Sequence, residues 1–244
     1  MTFLLRFGLL CLAGSFLLAQ DPAQLLARSD QARGGGLPGL TWEIRSHNSG
    51  SQAHEDEPPM RLLVKAVADA SLVETLEPLR SKGARMLQVE HNLWLTKPGL
   101  RKPVPISPRQ RLTGQAAIGD IAATNYARDY RARLLREEDV DGERCFLLEL
   151  SANARQTTYD RVLYWVSARH GTGVQAEFQS LSGKKLKSAR FEYGNRIEVQ
   201  GRSVPFISRM VISDALTDSR TTLEYGRIVV QALPAAEFDV SHLE

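Results

Sequence analysis

HNLWLTKPGLRKPVPISPRQRLTGQAAIGDIAATNY, residues 91–126, joins an alternating strand to a basic, proline-broken loop and then to a short apolar helix. Around its start, Leu87, Val89, Leu93 and Leu95 alternate with Gln88, Glu90, Asn92 and Thr96, which reads as one strand over 85–96 with an apolar and a wet face. His91 and Trp94 sit against that pattern. After Thr96, Pro98, Pro103, Pro105 and Pro108 oppose both ladder pairing and helix. Lys97, Arg101, Lys102, Arg109 and Arg111 accumulate over the same residues with no acidic side chain until Asp120. In the segment that follows, Ile118, Ile121 and Ala122 share a helical face, so it reads as a plug or lid beside an apolar cavity whose mouth is positively charged.

Working outward, about eleven strands are expected, at 41–47, 60–68, 71–77, 85–96, 131–137, 144–150, 157–166, 174–181, 186–197, 204–213 and 221–230. Asp141-Gly142, Gly171-Thr172-Gly173, Ser182-Gly183 and Gly201 punctuate them as hairpin turns do. No helix-length periodic segment lies between 130 and 230, which argues against a parallel βαβ sheet. Before the strands, Asp21 as N-cap, Pro22 at the first turn and Gln24 in the capping-box position start a helix that Gly34 to Gly36 end. The expected class is mainly β (α+β): a single incomplete antiparallel β-barrel of about eleven strands, enclosing or capped by short helices.

The first twenty residues read as an export signal, with Arg6, an apolar run over 7–18, and Ala19 near a cleavage point. Residues 21–244 then form one domain. The apolar run is too short to span a bilayer, and no later segment has the ~20 apolar residues that a crossing helix needs. Cys11 follows Leu9 and Leu10 rather than the small residues of a lipid-attachment site, so no lipid anchor is expected. Signal removal leaves Cys145 alone in the apolar run RCFLLEL, where a buried, inert thiol is expected. The net charge of +3 gives no argument for nucleic acid.

Catalytic and metal signatures are missing from the pattern. His47, His54, His91, His170 and His242 show no metal-ligand spacing, and there is no GxSxG or phosphate-cradling loop. His54 with Glu55, Asp56 and Glu57 reads as a solvated loop. Asp120, Asp129 and His91 are the only set that suggests a hydrolytic site, and nothing in the spacing joins them. Ala189, Phe191 and Tyr193 on one strand, and Val204, Phe206, Met210 and Ile212 on another, give apolar faces that suit packed core and cavity lining alike. A second basic cluster, Lys184, Lys185, Lys187 and Arg190, reads as a solvated face.

Leu93-Trp94-Leu95, Lys97-Pro98, Leu100-Arg101, Ile106-Ser107 and Gly119-Asp120 resemble the LolA-like family of periplasmic outer-membrane lipoprotein-sorting proteins. So do Arg190-Phe191-Glu192-Tyr193, Gly201-Arg202-Ser203-Val204-Pro205, Thr221-Thr222-Leu223-Glu224-Tyr225, Leu233-Pro234 and Phe238, in the same order. Residues 116–126 depart from the family in being rich in alanine and small polar residues. The resemblance implies a monomeric periplasmic carrier for lipid or lipoprotein acyl chains, with no cofactor and no catalysis. An inner-membrane transporter and an outer-membrane acceptor would be its partners. On this reading Trp94, Leu95, Leu100, Ile118, Ile121, Phe191, Phe206 and Met210 line the cavity or lid, and Arg101, Lys102, Arg109 and Arg111 ring the mouth. The competing expectation is a non-catalytic module that docks to an envelope transporter or assembly machine, with a filled core.

Overall fold

The computed structural model describes residues 20–51, 58–122 and 125–243. The export signal with Cys11, and the acidic loop with His54, lie outside the described residues. Helix α1 (Pro22–Gln31) begins as its sequence predicts: the Asp21 carboxylate accepts from the backbone N–H of Ala23 at 2.9 Å, with Pro22 in the first turn. Beyond it the chain folds into β1 (Leu40–Ser49), β2 (Met60–Ala66), β3 (Ala70–Glu77), β4 (Arg85–Val89) and β5 (Asn92–Thr96). The proline-broken segment carries three short pieces of strand, β6 (Val104–Pro105), β7 (Arg111–Thr113) and β8 (Ala116–Ala117), then helices α2 (Ile118–Ala122) and α3 (Tyr126–Asp129). A long meander follows: β9 (Tyr130–Val140), β10 (Glu143–Ala152), β11 (Arg161–Ser167), β12 (Gly173–Gln179) and β13 (Lys185–Glu192). The last strands are β14 (Asn195–Val199), β15 (Arg202–Phe206), β16 (Arg209–Asp214) and β17 (Arg220–Val230).

Thirteen of these strands form one antiparallel sheet in the order β6-β5-β4-β3-β2-β1-β17-β16-β13-β12-β11-β10-β9. The sheet curls without closing, so the expected open barrel is the observed fold. Each edge is blunted. β6 is two residues long and contains Pro105, while β9 carries Arg131, Arg133, Glu137 and Asp139 along its exposed side. The last strand, β17, pairs with β1 at the middle of the sheet, where a bulge leaves Trp42 opposite Arg227 (φ 50°) and Ile228. Trp42 is fully buried and meets Phe206 edge-to-face at 6.0 Å.

Three expected strands are each two. The run 85–96 is broken by a two-residue turn in which Glu90 takes φ 53°, and Val89 pairs with Asn92. The turn reverses the facing of the pattern: Leu87, Val89 and Trp94 pack outward under Phe238 and Leu243, whereas Met86, Leu93 and Leu95 pack into the main core. Both faces of this hairpin are therefore apolar, because the C-terminal segment covers the outer one, and that is why Trp94 falls out of phase. The runs 186–197 and 204–213 divide at Tyr193–Gly194 and Ile207–Ser208, since β14 and β15 peel away as a separate ribbon and β13 pairs directly with β16.

Candidate functional site

At one end of β12 and β13, the segment from residue 97 to α2 lies across the mouth of the sheet. Its anchors are polar: Asn48 Nδ2 donates to Thr113 Oγ1 at 3.1 Å, and Thr221 Oγ1 accepts from the backbone N–H of Gln115 at 2.6 Å. α2 behind it is buried at all five residues, and Ile118 and Ile121 enter the main core. Gly119 is required where α2 passes beneath the loop before β11, because a Cβ there would lie 1.9 Å from Thr158 Oγ1.

The same helix buries a charge. Asp120 Oδ2 accepts from Lys187 Nζ of β13 at 2.7 Å and from the backbone N–H of Ala117 at 2.8 Å; Oδ1 accepts from the Tyr159 hydroxyl at 2.6 Å. Lys187 also donates to the Gln115 carbonyl at 2.8 Å, and its ammonium stands 5.0 Å from the Tyr159 ring, which stacks on Phe178. Burial, reinforced by the Asp120 charge, holds the Tyr159 phenol well above its ordinary pKa, so it stays a donor. Each partner of this buried pair is hydrogen-bonded beyond the pair itself, the arrangement a desolvated ion pair needs. Lys184, Lys185 and Arg190 are exposed as their cluster predicts, and Lys187 is the member that departs from the solvated-face reading. Its signal was in the strand: it shares the inward register with Ala189 and Phe191.

Over this pair opens a pocket of about 220 Å³, with Arg109, Arg111 and Leu186 among its walls. Arg109 is clamped: it donates to Asp160 Oδ1 at 2.7 Å and to the Thr157 carbonyl at 3.1 Å. Arg101 and Lys102 are exposed on the turn after β5. A second hollow of about 470 Å³ runs between the β4–β5 turn and the loop before β11, lined by Leu93, Trp94, Pro105, Ile106 and Gln156 among others. It lies beside the gap between the two sheet edges. α3 bridges that gap, with His91 Nδ1 3.5 Å from Asp129 Oδ1 and Arg128 Nη1 donating to the Asp69 carbonyl at 3.1 Å, while the end of α2 is held by Ser71 Oγ, which donates to the Ala122 carbonyl at 2.7 Å.

The expected site residues divide between these surroundings. Ile118, Ile121, Phe191, Phe206 and Met210 belong to the buried main core; Leu95 packs against it; Trp94 joins the outer cluster and the larger hollow; Leu100 is on the surface, 36 % exposed. His91 and Asp129 meet, but Asp120 is engaged elsewhere with Lys187, so the three do not form one set. Among the described residues, no group of three or more His, Cys, Asp or Glu is placed to hold a metal ion. No helix among them is long and apolar enough to cross a membrane.

A LolA superfamily protein from Nitrosomonas europaea is 31 % identical to this chain, over 91 % of this chain and 98 % of that one, with a TM-score of 0.79. The chain belongs to the LolA superfamily. Two further solved structures share the fold at 18 % identity: a DUF1329 family protein from Desulfovibrio piger, with 92 % of this chain and 100 % of that one covered and a TM-score of 0.74, and a domain from Vibrio parahaemolyticus described as an outer membrane lipoprotein-sorting protein, with 91 % and 97 % covered and a TM-score of 0.75. A family model described as an uncharacterized protein matches residues 68–244. No curated protein matches the sequence.

Proposed function

We propose that this protein is a periplasmic, non-catalytic carrier that shields the acyl chains of a lipid or lipoprotein. The observation that carries the reading is the construction of α2: five buried residues whose isoleucines plug the concave face of an open sheet, held by a few side-chain hydrogen bonds from Lys187, Tyr159 and Ser71 rather than by continuous ladder pairing. Such a plug can leave as a unit. Its isoleucines would be replaced by acyl methylenes, each worth ~0.8 kcal/mol when buried, while Asp120 and Lys187 return to water. Hydrophobic contact is exchanged for hydrophobic contact, so the ligand is bound firmly enough to travel and loosely enough to be handed on by differences in affinity between donor, carrier and acceptor.

Uptake of a fluorescent fatty-acyl probe tests this. Saturable binding is expected, with affinity raised in Ile121→Ala, which weakens the plug's own hold on the interior. A folded protein that takes up no acyl probe and copurifies with no extractable lipid would overturn the carrier reading in favour of a docking module.

A further inference from the structure

A third pocket, of about 590 Å³, lies at the other end of β12 and β13 from the Lys187 lock. Three guanidinium groups reach it from segments distant in sequence: Arg28 from α1, Arg169 from the β11–β12 turn and Arg196 from β14, with His170 beside Arg169. Glu143 is the one carboxylate in its lining. None of the three arginines has an ion-pair partner among the described residues, and Arg196 is aimed by Ser203, through the hydroxyl at 2.9 Å and the carbonyl at 2.8 Å.

The floor adds to the same field. Phe191 and Tyr193 form part of it, and behind Phe191 lies Arg33, 6 % exposed, with its guanidinium carbon 5.3 Å from the Phe191 ring centroid and 4.2 Å from that of Tyr126. Arg33 Nη1 and the Tyr193 hydroxyl are buried with no hydrogen-bond partner among the described residues. Asp30, three residues away, offsets part of this charge through space without a direct ion pair, and its Oδ2 accepts from the backbone N–H of Ala127 at 2.7 Å. A buried guanidinium with Nη1 left without a partner, beneath a pocket walled by three arginines that make no ion pair, is an electrostatic arrangement that an anion completes.

We infer that this pocket binds a phosphate monoester group. Guanidinium forks match phosphate oxygens two at a time, and a dianion presents enough acceptors for donors that converge from three separate segments. The inference does not rest on the carrier reading, since it concerns a different hollow and different residues. Either a lipid headgroup or a small phosphate ester supplies the required chemistry.

Calorimetric titration with inorganic phosphate, glycerol 3-phosphate and dihexanoyl phosphatidic acid at low ionic strength tests the site. Saturable binding of at least one probe is expected, weakened about tenfold or more in Arg28→Gln/Arg169→Gln, in line with the loss of two charge-assisted contacts, and unchanged in Arg80→Gln/Lys82→Gln, whose replaced residues are exposed and outside the pocket. Both replaced arginines of the first variant are exposed, so its fold is retained and a matching thermal melt verifies that. Phosphatidic acid binding tenfold tighter than glycerol 3-phosphate assigns a lipid headgroup; equal affinities assign a free phosphate ester. Absence of saturable binding by all three probes, or an affinity in Arg28→Gln/Arg169→Gln equal to that of the parent, overturns the site.

Discussion

Lys187 on β13 holds Asp120 on α2 at 2.7 Å, joining residues 67 positions apart across the mouth of an open antiparallel sheet. Removing only the cation strands a buried carboxylate. Lys187→Met should therefore destabilise the protein by about 3–5 kcal/mol, whereas the paired Asp120→Leu/Lys187→Met change should cost far less or nothing, because no uncompensated charge remains. Urea unfolding of the three proteins measures this, and equal losses in the single and double variants would show that the pair is not the lock.

Arg109 ties the cover to the loop before β11 through Asp160 and the Thr157 carbonyl. Both ends are partly exposed, so the bridge adds little to global stability; its effect is local. In Arg109→Gln, amide hydrogen exchange should speed up across residues 107–119 while β10 to β12 keep their protection. Unchanged exchange in that segment would remove Arg109 from the closure.

Asp30 is enclosed on all sides, and burial pushes its carboxyl up from 3.8 to about 7, with Arg33 opposing the shift. Between about pH 4 and pH 7 the unfolded chain has released a proton that the folded chain still holds. This group therefore favours the folded state less as pH rises through that window, by roughly 4 kcal/mol in total. Asp30→Asn keeps an oxygen for the Ala127 N–H and removes the titration, so its stability relative to the parent should climb between pH 4 and 7 and then level off. Parallel pH profiles for the two proteins would contradict the assignment.

Gly119 has no room for a side chain beneath Thr158. Gly119→Ala should cost about 1–3 kcal/mol by forcing α2 and the overlying loop apart, and Thr158→Ala in the same chain should recover part of it by deleting the atoms that clash. Thermal melts of the single and double variants read the coupling directly.

Cys145 is fully buried among Val140, Leu147 and Trp165, and desolvation pushes its thiol up to about 11, with Glu143 adding to the shift. A thiol-specific reagent at pH 8 should leave the native protein unmodified and label it stoichiometrically in urea. Rapid labelling of the folded protein would contradict the burial.

The antiparallel class was legible because its signals are local. Asp141-Gly142 and Gly201 mark turns by their own backbone freedom, alternation marks the strands beside them, and Asp21-Pro22 marks a helix start. The turn at Glu90–His91 left no such mark: neither residue is a turn former, and because both faces of the hairpin are covered, its alternation ran on through the turn as though it were one strand. The split of the later strands was hidden for a related reason, since a ribbon that leaves the sheet has the same local pattern as a strand that stays in it.

What the sequence determined by itself was the open antiparallel sheet and the superfamily, each written in residues that are neighbours or in fixed order along the chain. The tertiary structure alone decided that Lys187 pairs with Asp120, that His91 meets Asp129 but not Asp120, and that Arg28, Arg169 and Arg196 converge on one pocket. The reason is physical: charges act through space, and which ones meet is set by sheet order and curvature, which bring together side chains that the sequence holds many residues apart.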